Sequence, residues 1–319
     1  MDVPAKTFIT LSNEEELREI SESYPSDIHV LGGGSNVLLT KPVDGIVVHN
    51  KLKGISIEKE NEEHVWLRVQ GGEVWHEFVL YAIGNGWAGV ENLALIPGSV
   101  GAAPMQNIGA YGVEAKETID SVTAWHWKEK SFVQFNNEEC QFGYRDSVFK
   151  HEWKNKLLIS SVVFRLNKKP VLHTHYGAIK HELEKMNVHE PNIKDVANAV
   201  IAIRSSKLPN PKEIGNAGSF FKNPTIPLNL YNLLLVNHAD MPHYPVSDEM
   251  VKVPAGWLIE QCGWKGYRKG DTGVHAKQAL VLVNYGHAKG DEIWALSEQV
   301  VRSVEDKYGI VLEREVQVW

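Results

Sequence analysis

Cysteine is scarce: Cys140 and Cys262 are the only two among 319 residues, and they stand far apart. Neither a zinc spacing nor a disulfide framework can be built from them. No apolar run approaches the roughly 20 residues that cross a bilayer. The opening Met1-Asp2-Val3-Pro4-Ala5-Lys6 lacks the charged and then apolar stretches of a secretory signal. Basic residues are outnumbered, 33 Lys and Arg against 40 Asp and Glu, for a net charge of −7. That balance argues against a nucleic-acid binder, which carries a basic stripe to meet phosphates. No P-loop G-x-x-x-x-G-K-[ST] occurs. His181-Glu182 is not followed by the second histidine of H-E-x-x-H, because position 185 is Lys. What remains is the expectation of a reduced, soluble, cytoplasmic protein that holds no metal and does not meet membrane.

With 43% hydrophobic and 23% charged residues the chain has material for a real core. Its length points to two domains, or to one large domain with a second packed on it. Ser12-Asn13-Glu14-Glu15 reads as a capping box opening a helix with Leu17, Ile20 and Tyr24 on one face, stopped at Pro25. Strands are expected at 29–31, 43–49, 65–69, 122–127, 157–166, 279–284 and 311–319. Helices are expected from Trp75 to Gly84, over 195–205, after Pro254 in its first turn, and over 291–308 with Gly309 as cap. Pro209 and Pro211 mark a boundary. Strands and helices alternate irregularly, so the fold class is α+β rather than a doubly wound sheet.

Two glycine-rich stretches carry the first chemistry. Gly32-Gly33-Gly34-Ser35-Asn36 follows a strand directly, so backbone amides there can approach a bulky anion. A plain surface turn is the rival reading. The second stretch runs from Ile96 to Gly112 without a period or a charged residue, and its amides suit a wrapped cofactor, against the alternative of a buried Ω-loop. By contrast Gly84-Asn85-Gly86-Trp87-Ala88-Gly89 matches the dinucleotide pattern G-x-G-x-x-G but follows a helix instead of a strand, so Gly84 is better read as a helix cap.

Seven blocks then stand in order. They are Leu31-Gly-Gly-Gly-Ser-Asn-Val-Leu-Leu39, Glu91-Asn-Leu-Ala-Leu-Ile-Pro-Gly98, Gln106-Asn-Ile-Gly-Ala-Tyr-Gly-Val-Glu114 and Phe142-Gly-Tyr-Arg-Asp-Ser147. Gly215-Asn-Ala-Gly-Ser-Phe-Phe-Lys-Asn-Pro224, Ala255-Gly-Trp-Leu-Ile-Glu-Gln-Cys262 and Leu312-Glu-Arg-Glu-Val316 complete the set. Together they resemble the UDP-N-acetylenolpyruvoylglucosamine reductase (MurB) family, in its type I form, over nearly the whole chain. The resemblance implies a two-part FAD-binding domain of the vanillyl-alcohol-oxidase (PCMH) type over 1–168, with parts at about 1–53 and 54–168. A connecting segment over 169–206 and a C-terminal α+β substrate-binding domain over 207–319 follow, the last strand folding back to the active site. It further implies non-covalent FAD, NADPH as reductant, a nucleotide-sugar substrate, a role in peptidoglycan precursor synthesis, and a monomer.

The reaction so implied reduces an enolpyruvyl ether to a lactyl ether, UDP-N-acetylmuramate. It needs a hydride source, a proton donor and positive charge or hydrogen-bond donors for an enolate. The family's proton-donor serine falls on Ser219, its enolate-stabilising arginine on Arg145 and its assisting glutamate on Glu315. Read singly, these residues suggest less: Arg145 a salt bridge with Asp146, Ser219 a packed hydroxyl, Glu315 a solvated face shared with Glu313 and Gln317. The resemblance assigns the cofactor to Gly32, Gly33, Gly34, Ser35, Asn36, Ile96, Pro97, Gly98, Ser99, Gly101, Ala102, Ala103, Ile108, Gly109 and Gly112. It assigns the substrate to Tyr111, Tyr176, Lys207, Lys222, Asn223 and Gln278, with Tyr176 as the mobile tyrosine of type I members. Each lysine also reads as an ordinary surface charge. His173 and His175 read as surface residues, and Trp125 and Trp127 as packing rather than flavin stacking.

Two positions depart from the family pattern. The chain opens after the place of the family's Asn-Thr-Phe segment, which implies a looser hold on FAD. Gln317 replaces the arginine that follows the final Glu-Val, which implies a weaker anion contact. The rivals are a flavin oxidase of the same superfamily acting on an alcohol, and a catalytically silent nucleotide-sugar binder. Covalent-flavin members of the first use a His or Cys near the glycine loop, and neither occurs within 32–36.

Overall fold

The computed structural model describes residues 3–24 and 26–319, and the chain forms two units. One holds Pro4–Gly34 and Val43–Ser206; the other holds Ser35–Pro42 with Lys207–Trp319. Residues 35–42, which the sequence groups with the flavin half, pack with the C-terminal part instead. A contiguous division of the chain does not describe that exchange.

In the first unit a parallel three-stranded sheet has Val43–Asn50 between Ala5–Leu11 and Ile28–Leu31. Ile46, Val47 and Val48 are all buried, the run expected of a central strand covered on both faces. Strand Ala5–Leu11 has no counterpart among the expected strands, because apolar Phe8 is exposed and polar Thr7 faces inward, so polarity does not alternate with burial along it. Beside it, a five-stranded antiparallel sheet runs in the order 131–136, 119–126, 157–167, 64–70, 55–60. Helix Trp75–Gly84 lays Trp75, Phe78, Val79 and Ala82 on this sheet, and the Phe78 and Phe164 rings meet at 4.6 Å. Trp125 and Trp127 are buried in a second cluster with Leu17, Ile20 and Leu158, and the Trp125 indole donates to Ser21 Oγ at 2.9 Å. Their packing role is the one expected.

In the second unit, strands 215–219, 281–284, 272–274 and 268–269 form one sheet and 225–227, 250–252 and 244–245 another. Helix Gly290–Tyr308 buries Ile293, Leu296, Val300 and Val304 at helical spacing and ends at Gly309 in the left-handed region, φ 66°.

Several local expectations are corrected. Helix Glu16–Ser23 opens without a side-chain cap, since Asn13 Oδ1 instead accepts from Glu15 N at 3.1 Å in a turn. Its stop at Pro25 lies outside the described residues. Pro254 is the N-cap of helix Ala255–Gln261, one residue before the first turn. Gly84 is the last residue of its helix and Asn85 is the cap. The final strand is only Gln317–Val318, paired with Val37–Leu38, because residues 313–315 run beside 220–222 with only one isolated bridge, Phe221 to Arg314.

Candidate active site

In the first unit the two glycine-rich stretches meet. A Cβ on Gly33 would lie 2.8 Å from Gly98 Cα and 3.2 Å from Gly98 C, so the loops touch backbone to backbone. Only glycine permits that approach. Gly101 N donates to Gly71 O at 2.9 Å, which seats the second stretch on the five-stranded sheet. Ser99, Val100 and Ala103 are buried, while Pro97 is exposed. Gly32–Gly34, Ile96–Ser99 and Gly101–Ala103 therefore belong to one neighbourhood. Ser35 and Asn36, assigned with them on the sequence, pack with the other unit.

Loop 105–114 is stitched to the Phe142–Ser147 segment. Asn107, fully buried, donates to Gly143 O at 3.0 Å and Glu114 Oε2 at 3.1 Å, and accepts from Lys116 N at 3.0 Å. Ser147 Oγ donates to Met105 O at 2.7 Å. Arg145 Nη2 donates to Gly109 O at 2.6 Å and its Nη1 to Asn107 O at 3.4 Å. The Asp146 carboxylate meets His151 Nε2 at 2.8 Å. Four non-glycine residues of this region take left-handed backbone conformations: Leu95 (φ 57°), Asn107 (φ 43°), Tyr111 (φ 51°) and Arg145 (φ 54°). Such conformations cost of order 1 kcal/mol or more each and gather where the surroundings over-determine them, as at functional sites.

Tyr111, Gly112, His173, His175 and Tyr176 line a cavity of about 320 Å³. The Tyr111 and Tyr176 rings meet edge to face at 5.5 Å. Both histidines are exposed, as expected, yet they also form part of this wall. Asn92 Nδ2 holds His173 O at 2.8 Å and Tyr111 O at 3.2 Å, a link no sequence pattern announces.

In the second unit Ser219 and Glu315 come together through the backbone. Glu315 N donates to Phe220 O at 2.9 Å and Lys222 N to Glu313 O at 2.9 Å. Strand 215–219 holds one extra residue against strand 281–284 between Asn216 and Ser219, and Gly218 there has φ 72°. The bulge re-aims the chain, so Ser219 is exposed while Phe220 and Phe221 are each 1% exposed. Glu315 is 9% exposed, not the solvated residue that alternation with Glu313 and Gln317 suggests. The strand pattern fails because Glu315 and Val316 are both buried. Asn36 Nδ2 donates to Glu315 O at 3.2 Å, and Gln317 N donates to Asn36 O at 3.0 Å.

The remaining substrate candidates have local partners. Lys222 Nζ pairs with Glu313 at 2.5 Å, Asn223 Oδ1 accepts from Ala255 N at 2.9 Å, and Gln278 Oε1 accepts from Leu280 N at 3.3 Å. Lys207 closes helix Ile193–Lys207. Arg145 and Tyr176 lie in the first unit; Ser219, Glu315, Lys207, Lys222, Asn223 and Gln278 lie in the second. Among the described residues no cluster of three His, Cys, Asp or Glu is placed to hold a metal ion, and no helix is long and apolar enough to cross a membrane. Burial pushes the Cys140 thiol up to about 12, with the nearby Glu139 adding to it, so this thiol is not a nucleophile near neutral pH.

A UDP-N-acetylenolpyruvoylglucosamine reductase of Flavobacterium johnsoniae is 51% identical over 100% of this chain and 95% of its own length. The chain belongs to that reductase family. The reductase of Chromobacterium violaceum is likewise 51% identical, over 89% of this chain and 84% of its own. Residues 210–319 match the C-terminal domain of UDP-N-acetylenolpyruvoylglucosamine reductase, and residues 5–129 match an FAD-binding domain. The crystal structure of the reductase from Thermus caldophilus superposes with a TM-score of 0.68 at 25% identity, covering 98% of this chain and 91% of that one. A 6-hydroxy-D-nicotine oxidase from Arthrobacter nicotinovorans shares the fold alone, with a TM-score of 0.54 at 14% identity over 98% and 82% of the two chains. This reductase is thus an FAD-dependent oxidoreductase of α+β fold. The residues present fit the cofactor: Gly33 and Gly98 meet backbone to backbone, which holds two loops poor in side chains together, and the backbone amides of such loops suit a pyrophosphate.

Proposed function

We propose that this reductase converts UDP-N-acetylglucosamine enolpyruvate to UDP-N-acetylmuramate at the expense of NADPH, a step of peptidoglycan precursor synthesis. The observation that supports it most is the 2.9 Å bond from Glu315 N to Phe220 O, which brings buried Glu315 alongside the segment that carries exposed Ser219. Gly32–Gly34 and the loop from Ile96 would hold FAD, which when bound would supply, at the expense of NADPH, the hydride that the enolpyruvyl double bond gains. That hydride adds to the terminal CH₂ of the enolpyruvyl group, leaving an enolate conjugated with the carboxylate. Arg145 binds that negative charge with a guanidinium that cannot lose its proton. Ser219 delivers a proton to the carbon next to the carboxylate, and the product gains one hydride and one proton in all. Glu315 holds a donor at the enolate edge, since a bare carboxylate there would repel the developing charge. Tyr111, Tyr176, Lys207, Lys222, Asn223 and Gln278 position the nucleotide sugar.

The test is an anaerobic absorption spectrum of the purified chain. A yellow protein bleached by NADPH and re-oxidised by the enolpyruvyl sugar nucleotide is the expected result. A chain that cannot be loaded with FAD sinks the reading. Re-oxidation by oxygen at the expense of an alcohol, with no response to the sugar nucleotide, would favour the oxidase instead.

The cradle has its own test. Gly33→Val forces the glycine loop off Gly98, so FAD retention should fall at least tenfold, about 1.4 kcal/mol or more, while the far-ultraviolet circular dichroism stays that of the wild type. Undiminished flavin content would make the tri-glycine a turn and nothing more.

A further inference from the structure

Arg314 stands between Glu313 and Glu315, and the reaction proposed above does not use it. Its Nε donates to Ser297 Oγ at 2.9 Å, its Nη2 pairs with Glu298 Oε1 at 2.5 Å, and its guanidinium lies 4.1 Å over the Trp294 ring. Trp294, Ser297 and Glu298 are spaced i, i+3 and i+4 on helix Gly290–Tyr308, so they share one face. Ser297 is fully buried, and its hydroxyl donates to Trp294 O at 2.7 Å, which leaves its oxygen to accept from the arginine.

The backbone around Arg314 has few ties of its own. One isolated bridge joins Phe221 to Arg314, flanked by the bonds from Lys222 N to Glu313 O and from Glu315 N to Phe220 O. Strand pairing resumes only at Gln317. A ladder this short specifies register weakly, and a slip of one residue would turn Glu315 to the opposite face. The ion pair of Lys222 with Glu313 adds little, because the Glu313 carboxylate is largely exposed. Arg314 differs in kind. Its planar fork meets two adjacent helix residues and stacks on an indole, so its position and plane are both fixed.

We propose that Arg314 is a positioning residue for the substrate half-reaction, clamping the segment 312–316 on helix Gly290–Tyr308 so that Glu315 stays in register with the segment that carries Ser219. The inference rests on the reading of Glu315 given above and adds to it what holds that residue in place.

The experiment uses the FAD-loaded full chain and compares the wild type, Arg314→Met, Arg314→Lys, Glu315→Ala and the double variant Arg314→Met with Glu315→Ala. Methionine keeps an apolar stem over Trp294 and loses the fork. At saturating substrate Arg314→Met should slow re-oxidation of the flavin about tenfold or more, the cost of a misplaced group. Reduction by NADPH and substrate affinity should stay within about twofold of the wild type. Arg314→Lys, with one donor in place of the fork, should recover part of the rate. Amide hydrogen exchange at Glu315 should quicken about tenfold in Arg314→Met, as its bond to Phe220 O opens more often. In the Glu315→Ala background Arg314→Met should slow re-oxidation by less than about twofold more, because nothing is left for it to position.

A full re-oxidation rate in Arg314→Met overturns the proposal. So does a loss that multiplies in the Glu315→Ala background, a loss confined to substrate affinity, or a slowed rate with unchanged exchange at Glu315. Should Arg314→Met not fold, Ser297→Ala removes the acceptor of Nε and decides through the same cycle: a slowing that vanishes in Glu315→Ala supports the proposal, and a full rate overturns it. A wild-type rate in Glu315→Ala itself overturns the reading of Glu315 and this inference with it. A slow Glu315→Ala beside a fast Arg314→Met overturns the inference alone.

Discussion

Ser219→Ala should leave reduction of the flavin by NADPH near the wild-type rate and slow its re-oxidation by substrate by two or more orders of magnitude. That is about 3 kcal/mol of barrier, the worth of a positioned proton donor. The two half-reactions separate because the first moves only a hydride to FAD, whereas the second must also put a proton on carbon. The structure gives the variant a clean background. Ser219 is exposed beyond the bulge at Gly218, and the neighbouring Phe220 and Phe221 rather than the hydroxyl carry the packing. Loss of one hydroxyl should therefore leave the melting temperature within a degree or two. Stopped-flow measurement of both half-reactions is the check. A normal re-oxidation rate would move the proton donor elsewhere, to Glu315 or to water.

The second large effect concerns Arg145, in combination with Glu315. Arg145→Lys keeps a positive charge but loses the planar fork, and the substrate half-reaction should slow by about 10²–10³, the range seen when one oxyanion donor is removed. A further consequence follows from Arg145 Nη2 bonding Gly109 O and from its left-handed backbone. Lysine has one nitrogen where the guanidinium uses two to reach Gly109 O and Asn107 O, so loop 106–112 should loosen and FAD retention should also fall, by severalfold. Flavin content and the half-reaction rate, measured on the same preparation after FAD saturation, separate these effects. If saturation with FAD restores the full rate, Arg145 serves the loop and not the enolate.

Glu315→Gln keeps a donor and should lose less of the same half-reaction than Glu315→Ala. Substrate affinity should change little in either, because the interaction is made chiefly in the transition state. Equal losses in the two would remove the donor role. A loss confined to affinity would make Glu315 a binding residue.

The sequence by itself determined the family, the cofactor class and most of the regular elements. The seven ordered blocks need no structure to be seen, and helices 75–84 and 290–308 show their apolar faces at 3.6-residue spacing in the bare sequence. Strand 157–167 is legible as a long run of apolar and β-branched residues, and strand 64–70 by the alternation that buries Val65, Leu67 and Val69. Strand Ala5–Leu11 is not, because in this edge strand Phe8 points outward and Thr7 inward, which breaks the two-residue period of polarity. Only the tertiary structure decided the rest. It put residues 35–42 with the C-terminal unit, although the sequence runs unbroken from the tri-glycine into them. It buried Glu315, where alternation of polar residues had pointed to solvent, because 313–315 pair with 220–222 far away in the chain. It also drew Arg204 to Leu95 and Tyr111, residues about a hundred positions upstream. Local propensity and spacing act over a few residues, so they fix helices, turns and motifs. Burial, charge pairing and the partners of a single arginine depend on which distant segments the fold brings into contact, and no local pattern encodes that.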